Sequence, residues 1–152
     1  MRVSIRKASV TDIEALYEIE RECFTFEALT KEQLISLLHD ADSFTLLAQV
    51  NDEIAGFIIG KTYKTKDQLV GHVITIDVAS KHRRKGVGRK LLKALEEIFM
   101  ENGVEVCCLE VREDNISALN LYRKEGYEAV GKLEGYYERA HGILLKKQLK
   151  TP

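Results

Sequence analysis

Near the end of the apolar run VEVCCLEV lies Glu110; Asn115 follows five residues later, and Tyr122 seven residues after that. A carboxylate can accept a proton, an amide can hold a polar ligand, and a phenol can donate a proton or hydrogen-bond an anion. Leu119 and Tyr122 follow Asn115 at +4 and +7, so on a helix all three share one face. If the strand end and that face border one cleft, the set is suited to proton transfer. Each residue also has an ordinary structural reading: an exposed strand-end carboxylate, a helix cap, and a core aromatic with a polar tip.

The second set is KHRRKGVGRK, residues 81–90, with six Lys or Arg side chains and two glycines in ten positions. It follows the β-branched run VITIDV and opens an amphipathic helix. Backbone N–H groups at a helix N-terminus form an anion site that the helix dipole reinforces. Glycine lets a phosphate approach the backbone, and flanking Arg and Lys add charge-assisted hydrogen bonds. A Walker A loop is excluded because Gly88 precedes Arg89-Lys90, and a dinucleotide fingerprint because Leu91 stands where a third small residue is needed. The plain alternative is a solvated helix entrance. A nucleic-acid patch lacks a second basic stripe with interleaved aromatics, and the net charge is −1.

The elements that must position these groups follow from periodicity. Arg2–Lys7 alternates as a strand, and Thr11 or Asp12 opens a helix to about Glu22 with Ile13, Leu16, Tyr17 and Ile19 on one face. Thr30-Lys31-Glu32-Gln33 is a capping box starting a second short helix through Leu38. Phe44–Val50 and Ile54–Tyr63 flank Asn51-Asp52-Glu53 as a hairpin, and Val73–Val78 reads as a buried strand. Gly86–Asn102 is helical with Gly103 as its stop, Val104–Val111 a strand, and Asn115–Lys124 a helix ended by Gly126. Tyr127–Lys132 and Ile143–Leu149 are the last strands.

The order β-α-α-β-β-β-α-β-α-β-β predicts an α+β fold with a mixed central sheet of about seven strands and helices on both faces. Strands 73–78 and 104–111, joined by one long helix, are expected to be parallel neighbours. At 152 residues, with no repeat or linker, one domain over 1–152 is expected. Apolar residues are 45% and charged residues 31%, an ordinary globular balance, and no run approaches a membrane span of ~18 residues. The opening MRVSIRKASVTD has no signal-like apolar region, so a cytoplasmic location is the default. Cys23, Cys107 and Cys108 suggest neither a disulfide framework nor a metal pair, and His39, His72, His82 and His141 share no ligand spacing; no metal is expected.

RRKGVG resembles the Arg/Gln-x-x-Gly-x-Gly/Ala turn of the GNAT superfamily of N-acetyltransferases, and the likeness extends over nearly the whole chain. LEVR-x-x-N-x-x-A-x-x-L-Y is similar to RimI-type ribosomal-protein alanine N-acetyltransferases and related N-terminal acetyltransferases. The resemblance implies acetyl-CoA as donor. Its thioester and pantetheine arm would lie along the backbone of Ile76, Asp77 and Val78, and its phosphates on Arg83, Arg84, Lys85, Gly86, Val87, Gly88 and Arg89. It implies Glu110 as proton acceptor, Asn115 as cofactor contact, Tyr122 as proton donor to the CoA thiolate, and Tyr136 and Tyr137 as holders of a peptide N-terminus.

The chain departs from the RimI-type pattern between its first two helices, where CFTFEAL replaces a Pro-Trp-Ser-like segment. Phe24, Phe26 and Glu27 either line the acceptor site, with Glu27 pairing an ammonium, or form a packed aromatic cluster. Direct transfer through a ternary complex is expected, since no histidine motif supports Cys23 as a nucleophile. A lone glutamate suits an α-amine better than a lysine. Lysine or polyamine acetylation and a non-catalytic acyl-CoA-binding module are the alternatives. Nucleic acid and membrane are not expected partners, and monomer and homodimer both stay open.

Overall fold

The computed structural model describes residues 2–24 and 27–149. Seven strands and four α-helices follow in the order β1 (Val3–Lys7), α1 (Ile13–Cys23), α2 (Lys31–His39), β2 (Ser43–Val50), β3 (Glu53–Lys64), β4 (Leu69–Val78), α3 (Val87–Glu101), β5 (Val106–Arg112), α4 (Ile116–Lys124), β6 (Glu128–Tyr137) and β7 (Ala140–Gln148). The strands form one mixed sheet in the order β1-β2-β3-β4-β5-β7-β6. β4 and β5 run parallel, as the long intervening helix predicts, while β1–β2, β2–β3, β5–β7 and β6–β7 are antiparallel.

The chain clusters into two compact units, Met1–Lys61 with Ile74–Ile98, and Thr62–Val73 with Phe99–Pro152. In the first, Leu16, Ile19, Leu34, Leu47, Phe57, Ile59 and Ala79 form the buried core. Each large apolar side chain there contributes about 1.5–3 kcal/mol by leaving water. The capping box is present: Thr30 Oγ1 accepts the Gln33 N–H at 3.1 Å, and Gln33 Oε1 accepts the Thr30 N–H at 2.8 Å. Asn51 and Asp52, with φ of 51° and 65°, make the two-residue turn that a twisted hairpin favours. A 3₁₀ turn at Val10–Asp12 precedes α1, held by Arg6, whose guanidinium donates to both Asp12 carboxylate oxygens at 3.0 and 2.9 Å.

In the second unit, Val70, Val106 and Cys108 form a smaller cluster with Leu144 packed on it. Here the boundaries differ from those the sequence suggests. β4 starts at Leu69 rather than Val73, pairing Val70, Gly71 and His72 with Val106, Cys107 and Cys108. Gly71 weakens the sequence signal, yet the strand needs it: an added Cβ would stand 2.5 Å from the Phe99 ring. β6 and β7 are also longer than predicted and run to a turn at Glu138-Arg139, because β7 is paired along its length with β5.

Candidate active site

The basic turn lies in the first unit. Arg83, Arg84, Lys85 and Gly86 are exposed, and Val87 is buried at the start of α3. Arg84 and Gly86 have φ of 62° and 80°, whereas Lys85 between them keeps a negative φ. Alternating hands of this kind turn successive N–H groups toward one concave point, the geometry of an anion nest. A Cβ on Gly86 would meet nothing within 4 Å, so open space adjoins the nest. The helical ladder of α3 begins with Lys90 N–H donating to Gly86 C=O at 3.1 Å; first-turn amides have no intrahelical acceptor. Arg83 is anchored, its Nε donating to Val78 O at 3.0 Å and its Nη2 to Cys23 Sγ at 3.5 Å.

The second unit holds Glu110 on β5, and it is not alone. His72 Nε2 lies 2.8 Å from Glu110 Oε1 and 3.0 Å from Oε2. The cause is register: His72 pairs with Cys108, and Glu110 lies two residues further along β5 on the same face. A carboxylate that accepts an imidazole N–H fixes the orientation of the ring. Burial raises both the Tyr63 and Tyr136 phenols above their ordinary pKa, with Cys108 and then Glu110 adding to it at Tyr63 and Glu110 at Tyr136. Tyr63 OH also lies 3.9 Å from Cys108 Sγ. Cys107, on the opposite face, accepts the Tyr127 hydroxyl at 3.2 Å.

Asn115 caps α4, its Oδ1 accepting the Ala118 N–H at 3.1 Å. Tyr122 is buried, its ring edge-on to Tyr127 with centroids 6.0 Å apart. Tyr136 and Tyr137 end β6 as a perpendicular pair, centroids 4.9 Å apart; Tyr136 is 54% exposed, and the Arg112 guanidinium lies 5.8 Å over Tyr137. In the first unit, Phe24 and Glu27 are half-buried; Phe26 lies outside the described residues.

The sequence pattern of the acetyltransferase (GNAT) family matches residues 13–127. The chain belongs to the GNAT family. It is 34% identical over 145 residues to an N-alpha-acetyltransferase of Sulfurisphaera tokodaii, an alignment covering 88% of this chain and 84% of that protein. In fold it resembles Ard1 from Thermoplasma volcanium (TM-score 0.88, 25% identity, 99% of each chain). The ribosomal-protein-S18-alanine N-acetyltransferase from Escherichia coli is similar (TM-score 0.85, 24% identity, 99% of this chain and 96% of that one).

As a GNAT acetyltransferase, the chain is an acyltransferase, and its turn fits the pyrophosphate of acetyl-CoA. The alternating hands at 84–86, the open space at Gly86 and the exposed cations supply a nest-like turn, room and charge. Asn115 serves its own helix as a cap whatever else it touches. His72 was missed by sequence reasoning. Its signal was the span LVGHVITIDV, in which His72 keeps the alternation of the strand that follows.

Cys23 does not suit a GNAT acetyl-enzyme route. Burial, and after it the neighbouring Asp77, push its thiol up to about 11, and its S–H donates to Val78 O at 3.4 Å. Such a thiol is about 10⁻⁴ thiolate at pH 7. Cys23→Ser is expected to keep kcat within about twofold, since only the thiolate is nucleophilic. A steady-state thiol-release assay with acetyl-CoA checks this; a loss of a hundredfold or more would restore the covalent route.

Proposed function

We propose that this protein transfers the acetyl group of acetyl-CoA directly to the α-amine of a protein or peptide N-terminus, in the cytoplasm, with residues 1–152 acting as one acetyltransferase domain. The observation that carries the reading is the Glu110–His72 pair, a proton acceptor held by an imidazole at 2.8 Å. The 34% identity to an N-alpha-acetyltransferase supports the choice of amine. So does energetics: at pH 7, deprotonating an α-amine of pKa ~8 requires about 1.4 kcal/mol, and a lysine of pKa ~10.4 about 4.6 kcal/mol.

Bound acetyl-CoA supplies the thioester carbonyl that the amine attacks. In this proposal the turn from Arg83 to Arg89 holds its phosphates, the backbone of Ile76–Val78 its pantetheine arm, and Asn115 adds a contact. Glu110 takes the ammonium proton while His72 fixes the carboxylate and shares the charge. As the C–N bond forms and the C–S bond breaks, Tyr122 donates its phenolic proton to the departing sulfur and regains one from the newly acylated nitrogen. Tyr136, Tyr137, Phe24 and Glu27 receive the peptide; the exposed ring of Tyr136 lies closest to this role because it already feels the charge of Glu110.

Tyr122→Phe is expected to lower kcat at least tenfold, with little change in KM for acetyl-CoA, the pattern of a proton transfer lost only in the transition state. The reading itself is tested by acetyl-CoA turnover against a library of short peptides differing in their first residues, with products identified by mass spectrometry. Turnover that depends on the first residues supports it. Turnover confined to polyamines or internal lysines overturns it, and CoA binding with no transfer to any amine leaves a binding module.

A further inference from the structure

The carboxyl groups of a buried acid pair in the first unit have no part in the chemistry above. Glu20 on α1 and Asp77 on β4 are each 1% exposed. Thr75 stands between them, its Oγ1 2.6 Å from Asp77 Oδ1 and 3.2 Å from Glu20 Oε1. A hydroxyl has one hydrogen and can donate to only one of these oxygens at a time. If both carboxyls were ionised, the other contact would set oxygen against oxygen with nothing between. Asp77 Oδ2 is likewise buried with no hydrogen-bond partner among the described residues, and the carboxyl pressing on Asp77 is that of Glu20. Two buried carboxylates so placed are satisfied only when the pair carries a proton.

We infer that Glu20 and Asp77 share one proton through Thr75, and that the pair in this state positions residues 27–29, Glu27 among them. Asp77 donates to Thr75 Oγ1, Thr75 donates to Glu20 Oε1, and Glu20 Oε2 accepts the Leu29 N–H at 2.9 Å. Leu29 packs on the core next to Thr30, the cap of α2, so this last bond sets where the second helix begins. Glu20 and Asp77 are positioning residues: they act on the acceptor through residues 27–29. Only this kinetic consequence rests on the proposed acceptor role of Glu27.

Burial first, then Glu20, hold the Asp77 carboxyl well above the usual carboxylate range, opposed by Thr75 and by the Arg83 guanidinium. Cys23, on α1, stays a neutral thiol until about 11. The native protein therefore keeps a proton that the unfolded chain has released, from the ordinary carboxylate range up to the raised value. Stability falls as pH rises through that window, and the tie on Leu29 loosens as the shared proton leaves.

The test is the amide exchange of Leu29, followed by NMR on the full chain from pH 5 to 9 and corrected for intrinsic rate. Wild type is expected to lose protection at least tenfold across the range, the equivalent of one pK unit. Glu20→Gln keeps an oxygen for Leu29 and needs no shared proton, so its profile is expected to be flat; Glu20→Ala is expected to lose protection at every pH. A flat wild-type profile, or the same fall in Glu20→Gln, overturns the inference. If the variants do not fold, infrared spectra of wild type decide: a protonated-carboxyl C=O band at neutral pH supports it, and its absence overturns it. For peptide acetylation, KM is expected to rise with pH in wild type but not in Glu20→Gln, with kcat following one profile in both. A wild type that acetylates no peptide defeats the N-terminal reading alone, because exchange and infrared spectra still decide the shared proton.

Discussion

Glu110→Gln is expected to lower kcat for peptide acetylation about 10²–10³-fold while leaving KM for acetyl-CoA nearly unchanged. Glutamine is isosteric and can still bond the His72 ring, so the substitution removes the proposed proton acceptor and little else. His72 lies against both oxygens of that carboxylate. His72→Gln is therefore expected to fall short of wild type by about tenfold or more, and the double variant to be little worse than Glu110→Gln alone. Such non-additivity is the mark of two groups acting as one acceptor. Additive losses would mean that His72 works elsewhere, and a normal kcat in Glu110→Gln would move the proton acceptor away from β5 altogether.

Gly86→Val is expected to raise KM for acetyl-CoA at least tenfold, with kcat largely recovered at saturation. The reason is backbone rather than contact. Gly86 holds φ of 80° and a Cβ there would touch nothing within 4 Å, so the added side chain meets strain and not a neighbour. Left-handed geometry disfavours an L-residue by about 1–2 kcal/mol, more for a β-branched one, and tenfold in affinity is about 1.4 kcal/mol. If the turn relaxes to avoid the strain, the alternation of hands at Arg84, Lys85 and Gly86 is lost and the N–H groups no longer converge. Initial rates against acetyl-CoA concentration, with a thermal melt of the same variant, check this. A lower melting temperature with unchanged KM would show that the strain is borne without cost to binding, and would remove this turn as the phosphate cradle.

Why the turn was legible and His72 was not follows from where each signal lies. Strand, turn and helix occupy consecutive residues from Val73 to Asn102, so the sequence presents the proposed phosphate motif whole. The partner of Glu110 is reached across a parallel register, and the strand carrying it is disguised at its start by Gly71. Glu20 shows a different limit. It falls at i+7 from Ile13 on the stripe shared with Leu16 and Tyr17, and Asp77 sits inside VITIDV, so both acids occupy positions the pattern marks as buried. Periodicity marked those positions as inward without indicating that the two acids meet. The last hairpin was read short because β6 is exposed along most of its length and carries little apolar alternation; its pairing with β7, not its composition, makes it a strand.

The most direct test uses two peptides of one sequence, each with an internal lysine, one with a free α-amine and the other blocked at the N-terminus. Both are incubated with enzyme and acetyl-CoA, and tandem mass spectrometry locates the new acetyl group. The account predicts acetylation of the free peptide at its α-amine, abolished with Glu110→Gln, and none of the blocked peptide. Acetylation of the lysine at equal rates in both peptides would contradict it.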